Sequence, residues 1–214
     1  AGQAVTDIED FTTGCWLSRE AIPRLDAAGI GWLDGGDYLG RALGNVLSRH
    51  AGEFVGLQEV KHLLAESEKA FPDLVAEVTR AVPLQRITEV LRRLVAEGVS
   101  VRNMRDILQA LLEWAPKEKD MVMLTEHVRN ALARQITYQA NGGRTIHALT
   151  FDGALEDLVR AGIRSSAAGN FLAMDPEKAE DLRRRIIDRT QVFQRETNQR
   201  PAVLVSMDIR RYVA

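Results

Sequence analysis

Between Pro83 and Pro116 the apolar residues recur at steps of three and four. Leu84, Ile87, Val90, Leu91, Leu94 and Val95 form one series, and Met104, Ile107, Leu108, Leu111 and Leu112 form a second. That spacing belongs to amphipathic helices with one face to bury. Gly98 suits the left-handed position that closes a first helix. Asn103 suits the cap of the next, with Asp106 three residues on in the slot of a capping box. A helical hairpin with charged outer faces is expected.

The helical period continues on both sides. Leu39, Leu43, Val46, Leu47 and Phe54 mark a helix over residues 37–54, and Leu57, Val60, Leu63 and Leu64 one over 57–69. Pro72 opens another that reaches Ala81, where its missing N–H costs nothing in a first turn. After a charged turn at Lys117–Asp120, residues Met121, Leu124, Val128, Ala131, Leu132 and Ile136 mark a single helix from Met121 to Tyr138. Residues 37–140 thus read as all-helical.

The two ends have a different texture. AVTDIEDFTTG is polar and irregular, either linker or a weak edge strand. Cys15–Leu17 and Ile30–Leu33 are short strand candidates around a helix from Arg19 to Ala28, capped by Ser18 and ended by Gly29. Beyond Gly142 and Gly143, strands are expected at residues 145–151 and 170–174, and a buried strand at 202–205. Between and after them come helices over 153–164 and 177–197 and one starting at Asp208, with Asp152 and Asp175 as caps. The fold class is α+β and mostly helical: an N-terminal α/β piece in residues 1–36, a central all-α subdomain in 37–140, and a small α/β subdomain in 141–214.

Composition narrows the partners. Hydrophobic residues make up 45% and charged residues 27% of the 214, the balance of a globular protein, and the mean hydropathy of -0.17 agrees. With 28 basic and 30 acidic residues there is no overall field for nucleic acid or an anionic membrane. No apolar run approaches the roughly 18 to 20 residues that cross a bilayer. Cys15, the sole cysteine, excludes an internal disulfide and reads as a small buried hydrophobe beside Trp16. The chain starts without Met and stops as a helical pattern begins, so it reads as an excerpt of a longer polypeptide.

Candidate chemistry is sparse. The glycine pairs at 35–36 and 142–143 lack the context of a phosphate-binding loop. His50 and Glu53 stand one helical turn apart, but two ligands do not make a zinc site. Asp152 and Asp175 follow strands, as an acid/base pair of a hydrolase would, yet each directly precedes a helix and capping accounts for it. Arg183, Arg184, Arg185, Arg189 and Arg195 are interleaved with Glu180, Asp181, Asp188 and Glu196, which favours intrahelical pairing. The hairpin admits an alternative reading as a helix-turn-helix DNA-binding regulator, with Arg102, Arg105 and Gln109 facing the bases. Glu89, Glu97, Asp106 and Glu113 flank those arginines and oppose phosphate contact.

The order of several phrases carries more. HAGEFVGLQEVKHLL, PDLVAEV, the hairpin and LTEHVRNALARQI together resemble the cytoplasmic domain of the large export-gate protein of type III secretion, whose flagellar counterpart is FlhA. The most specific positions are Gly56, Gln58, Glu59, Leu84, Gln85, Leu91, Glu97, Ser100, Arg102, Asn103, Asp120, Arg129 and Leu132. TTGCWL and LVSMDIRRYV look more like the virulence branch.

The resemblance implies a bacterial inner-membrane protein whose cytoplasmic part has four small subdomains and assembles into a nine-membered ring below the export pore. The ring would receive chaperone–substrate complexes, a gatekeeper protein and the stalk of the export ATPase, with no cofactor, no metal, no enzyme activity and no nucleic acid. Residues 37–140 would be the third, ring-forming subdomain, residues 141–214 the fourth without its last strand, and residues 1–36 the closing part of the first. Membrane attachment would lie in an absent N-terminal region, with this portion on the cytoplasmic face. Within the helical part, the charged edge Arg102, Arg105, Glu113, Lys117, Glu118, Lys119 and Asp120 is the candidate subunit contact, since opposite charges on two edges suit a head-to-tail interface.

Overall fold

The computed structural model describes residues 3–6, 13–166, 169–197, 199 and 201–213. Its first elements are an antiparallel ribbon of Gln3–Thr6 (β1) and Thr13–Trp16 (β2); residues 7–12 of the irregular stretch lie outside the described residues. Cys15 is exposed rather than buried, because a two-stranded ribbon has no second layer to cover it. A 3₁₀ turn at Arg19–Ala21 leads into Ile22–Ala27 (α1), and the Ser18 side chain makes no capping bond. Gly29 closes the helix at φ 65°. Ile30–Leu33 is not a strand: it finds no ladder partner, and the Trp32 Nε1–H instead donates to the Asp26 carboxylate at 2.9 Å.

Gly35–Arg49 (α2) starts before the apolar pattern does, because the Asp34 carboxylate accepts the Asp37 N–H at 2.7 Å. Its apolar ridge forms as expected but is not buried: Leu39 is 68% and Leu43 59% exposed. The expected helix does not run on to Phe54; a 3₁₀ turn at Ala51–Phe54 replaces its end. There the buried Gly52 lies so close to a later helix that a Cβ would stand 3.1 Å from Ala96 Cβ and 3.2 Å from the Arg92 carbonyl oxygen.

Leu57–Glu68 (α3) and Pro72–Ala81 (α4) precede the hairpin itself, Leu84–Ala96 (α5) and Met104–Trp114 (α6). At the start of α3, Glu59 folds back to accept the Gly56 N–H at 3.1 Å. Gly98 adopts φ 70°, as the close of α5 requires. Asn103 Oδ1 accepts the Asp106 N–H, but Asp106 accepts from the Asn103 amide at 2.6 Å rather than from backbone, so its short side chain completes no capping box. The helix expected over 121–138 is two: Met121–Ala131 (α7) and Ala133–Asn141 (α8), broken at Leu132 and closed by Gly142 at φ 59°. Leu132 is 1% exposed, so the break keeps it in the core.

One hydrophobic cluster joins α3 to α7. Ile87, Val90, Leu91, Leu94, Ile107, Leu108, Leu111, Leu124 and Val128 are fully buried in it. Each such side chain contributes about 1.5–3 kcal/mol relative to exposure, which makes this cluster the main source of stability. α6 packs on α4 and α7, and α5 on α3 and α7.

The C-terminal unit pairs Ala148–Thr150 (β3) in parallel with Ala202–Leu204 (β6), with Gly153–Gly162 (α9) following β3. The Ile163–Ser166 strand (β4), which the polar sequence did not signal, forms a hairpin with Gly169–Leu172 (β5). Pro176–Thr197 (α10) and Met207–Val213 (α11) complete it. β6 was expected to be buried, yet Val203 and Leu204 are 37% and 54% exposed, because a two-stranded sheet leaves part of each strand uncovered. Val159, Leu182 and Ile209 form a second, separate cluster.

Candidate functional site

α6 presents an exposed stripe that begins at Arg102, just ahead of the helix, and passes Arg105 and Gln109 to Glu113, with the Lys117–Asp120 turn beyond. A helix of 11 residues separates the two ends by about 16 Å. The seven candidate contact residues are therefore not one cluster. They form a basic end and a mixed end.

At the mixed end the fold itself engages most of the charges. Lys117 Nζ approaches Glu113 at 3.6 Å and lies 4.9 Å from the centre of the Trp114 ring, whose other interactions include a stack on His127 at 3.8 Å. Glu118 accepts the Asp120 N–H at 2.8 Å, and Asp120 caps α7 by accepting the Val122 N–H at 2.7 Å. Asp120 also accepts from the Asn170 amide at 3.2 Å, which ties the turn to the C-terminal unit. At the basic end, Arg105 places its guanidinium 5.8 Å from the Phe71 ring centre, a cation–π distance. Among the described residues Arg102, Arg105 and Lys119 make no ion pair within the chain. What remains for a partner is positive.

Beside the basic end lies a cleft of about 530 Å³ lined by Asn103, Asp106, Arg134, Gln135, Tyr138 and Arg144. Gln135 helps shape it by donating to the Ser100 carbonyl at 2.7 Å.

No sequence pattern reveals the side chain that holds the mixed end in place. Arg86, on the polar face of α5, donates to the Ala115 carbonyl at 3.0 Å and the Glu118 carbonyl at 2.7 Å. These carbonyls close α6 and begin the charged turn, so a cation there satisfies acceptors that no helical N–H can reach. Periodicity marks Arg86 only as solvent-facing; its partners lie 29 and 32 residues away.

The other sequence candidates separate. Asp152 caps α9 by accepting the Leu155 N–H at 2.8 Å, and Asp175 caps α10 by accepting the Glu177 N–H at 2.9 Å, the capping roles expected of both. His50 Nδ1 and Glu53 share a contact of 2.8 Å on the surface. Among the described residues no group of three or more His, Cys, Asp or Glu side chains could hold a metal ion. Arg183 pairs with Glu180 at 2.7 Å, as the helical spacing suggested. No helix of the described residues is long and apolar enough to cross a membrane.

The FHIPEP family model matches residues 1–214. The chain belongs to that family. The low calcium response locus protein D of Yersinia pestis is 43% identical over 203 residues, which cover 92% of this chain and 28% of that protein. The Chlamydia pneumoniae CdsV protein, solved in complex with CdsO, superposes with a TM-score of 0.75 at 34% identity, over 94% of this chain and 59% of that one. Nonameric EPEC SctV-C superposes with a TM-score of 0.77 at 27% identity, over all of this chain and 64% of that one. The chain thus corresponds to part of the C-terminal domain of type III secretion export gates and spans less than a third of the curated relative's length.

Family membership gives the positions behind the resemblance a physical account. Gly56 and Glu59 build the start of α3. Asp120 caps α7, and Leu91 and Leu132 fill the core. Glu97 accepts from Arg129 at 2.8 Å, and Ser100 accepts from Gln135 through its carbonyl.

Proposed function

We propose that this chain is a cytoplasmic part of a type III secretion export gate that assembles with copies of itself into a ring, docks chaperone, gatekeeper and substrate complexes, and passes substrates to the export channel. It carries out no catalysis; the membrane-spanning region lies elsewhere in the polypeptide, and the export ATPase stalk is a further partner. The observation that supports this best is the likeness of the whole chain to a subunit of nonameric EPEC SctV-C. A closed ring needs a heterologous interface, in which two different surfaces of one subunit meet. Arg102 and Arg105, without an acidic partner among the described residues, supply one such surface, and residues 37–140 form the ring-building subdomain.

Native mass spectrometry of the full-length protein in detergent tests the reading. A nonamer is expected for the wild type, and the double substitution Arg102→Glu, Arg105→Glu is expected to shift the population to smaller species. A wild type that stays monomeric throughout would defeat the ring reading. A variant that assembles like the wild type would remove these two arginines from the interface.

A further inference from the structure

The helical module and the C-terminal unit have separate hydrophobic clusters, and among the described residues side-chain hydrogen bonds from Arg210 and Asn170 cross from one to the other. Arg210, on α11, crosses from the second unit to the first. Its Nε donates to Glu126 Oε2 at 2.7 Å and its Nη2 to the other Glu126 oxygen, a bidentate fork on a carboxylate of α7. The same Nη2 also donates to Glu97 at 2.9 Å. Arg129 donates to Glu97 at 2.8 Å and stands 3.9 Å from Glu126. Two cations and two carboxylates therefore form one neutral group. The Glu126 side chain is only 5% exposed, whereas Arg210 is 22% and Glu97 33% exposed.

This arrangement has two further features. The chain that links the units passes through Gly142 and Gly143 at φ 59° and 83°, conformations in which glycine is free to turn. Another bond between the units, from the Asn170 amide to Asp120 at 3.2 Å, is also polar. A polar interface beside a glycine linker offers little hydrophobic resistance to separation, and motion between such units is the normal expectation. What resists it is the loss of the charge-assisted hydrogen bonds that Arg210 makes to Glu126 and Glu97.

We propose that the Arg210–Glu126–Glu97–Arg129 group is a latch that sets whether the C-terminal unit is docked on the helical module or swung away about Gly142–Gly143. The latch is built for reversal. Its donor, Arg210, lies on the C-terminal unit and is partly exposed, while its main acceptor, Glu126, lies on α7 with only 5% of its side chain exposed. A partner that competes for Arg210 with an acidic group, or for Glu97 with a basic one, would release the unit without disturbing either hydrophobic cluster. Removing Arg210 changes only the docked side of the equilibrium, because its contacts do not exist when the units are apart.

The test is a distance measurement by pulsed electron paramagnetic resonance on the 214-residue chain. Spin labels are placed through Gln85→Cys on α5 and Gln191→Cys on α10, both exposed, in a Cys15→Ser background. The unaltered latch should give one dominant distance. Arg210→Ala and Glu126→Gln should each raise the population of longer distances by about tenfold or more, the size of a typical coupling between two states, with helical circular dichroism unchanged. An unchanged distance distribution in both variants would overturn the proposal. So would broadening accompanied in both by loss of helical signal, because the group would then be part of the fold rather than a latch.

Discussion

Replacing Arg86 by Met should destabilise the helical module by about 3 kcal/mol. The magnitude follows from two hydrogen bonds made by one guanidinium, 3.0 Å to the Ala115 carbonyl and 2.7 Å to the Glu118 carbonyl. A hydrogen bond with a charged partner contributes about 1.5–3 kcal/mol, and the lower end applies here because Arg86 is only half-buried. Ala115 is 4% exposed, so its carbonyl gains little from water when the arginine is gone. Met keeps most of the apolar stem, so the difference reports the hydrogen bonds rather than packing. Arg86→Lys, a cation without the fork, should recover about half of the loss. Urea unfolding followed by far-UV circular dichroism, with the slope checked against the wild type, measures both. A change within about 0.5 kcal/mol for Arg86→Met would show that water replaces the guanidinium at both carbonyls, and would refute the role given to it.

Two more outcomes follow from local geometry. Gly52→Val should cost about 1–3 kcal/mol by forcing apart the 3₁₀ turn and α5, where a Cβ already stands 3.1 Å from Ala96; Ala96→Gly in the same chain should return part of this, and the lack of any such coupling in urea unfolding would contradict the close approach. In the C-terminal unit, hydrogen bonds from Arg160 hold the Asp208 carboxyl below its ordinary range, and hydrogen bonds from Ser206 do the same for Glu156. A carboxylate depressed on folding contributes stability above its unfolded pKa of about 4 and loses it as pH falls through the folded value. Thermal melts should therefore show a loss of stability below about pH 4 that is shallower in the double variant Asp208→Asn, Glu156→Gln; equal slopes would contradict the assignment.

What the sequence could determine by itself was local. The 3.6-residue period placed α3 to α6 to within a residue or so, Gly98 marked a turn that needs a positive φ, and Asp152 and Asp175 announced helix starts three residues or fewer from the N–H groups they accept. The phrases around the hairpin were enough to place the chain in its family. Where a feature depends on partners far along the chain, the pattern failed. Ile30–Leu33 has the composition of a strand but finds no ladder, whereas β4 has a polar composition and is a strand because β5 folds back on it. Leu39 and Leu43 keep the spacing of a buried face and stay exposed, because periodicity states which residues share a face and not whether anything covers it. The charged edge shows the same limit. Seven charges along α6 and its turn look alike in sequence; Glu113, Lys117, Glu118 and Asp120 find partners within about a turn of chain, folding adds Asn170 to Asp120 and Phe71 to Arg105, and among the described residues Arg102, Arg105 and Lys119 make no ion pair. Arg86 and Arg210 acquire roles only because folding brings acceptors from 29 to 113 residues away within reach of one guanidinium. Local propensity acts over a turn or two, while the pairing of charges is decided by which surfaces the core brings together.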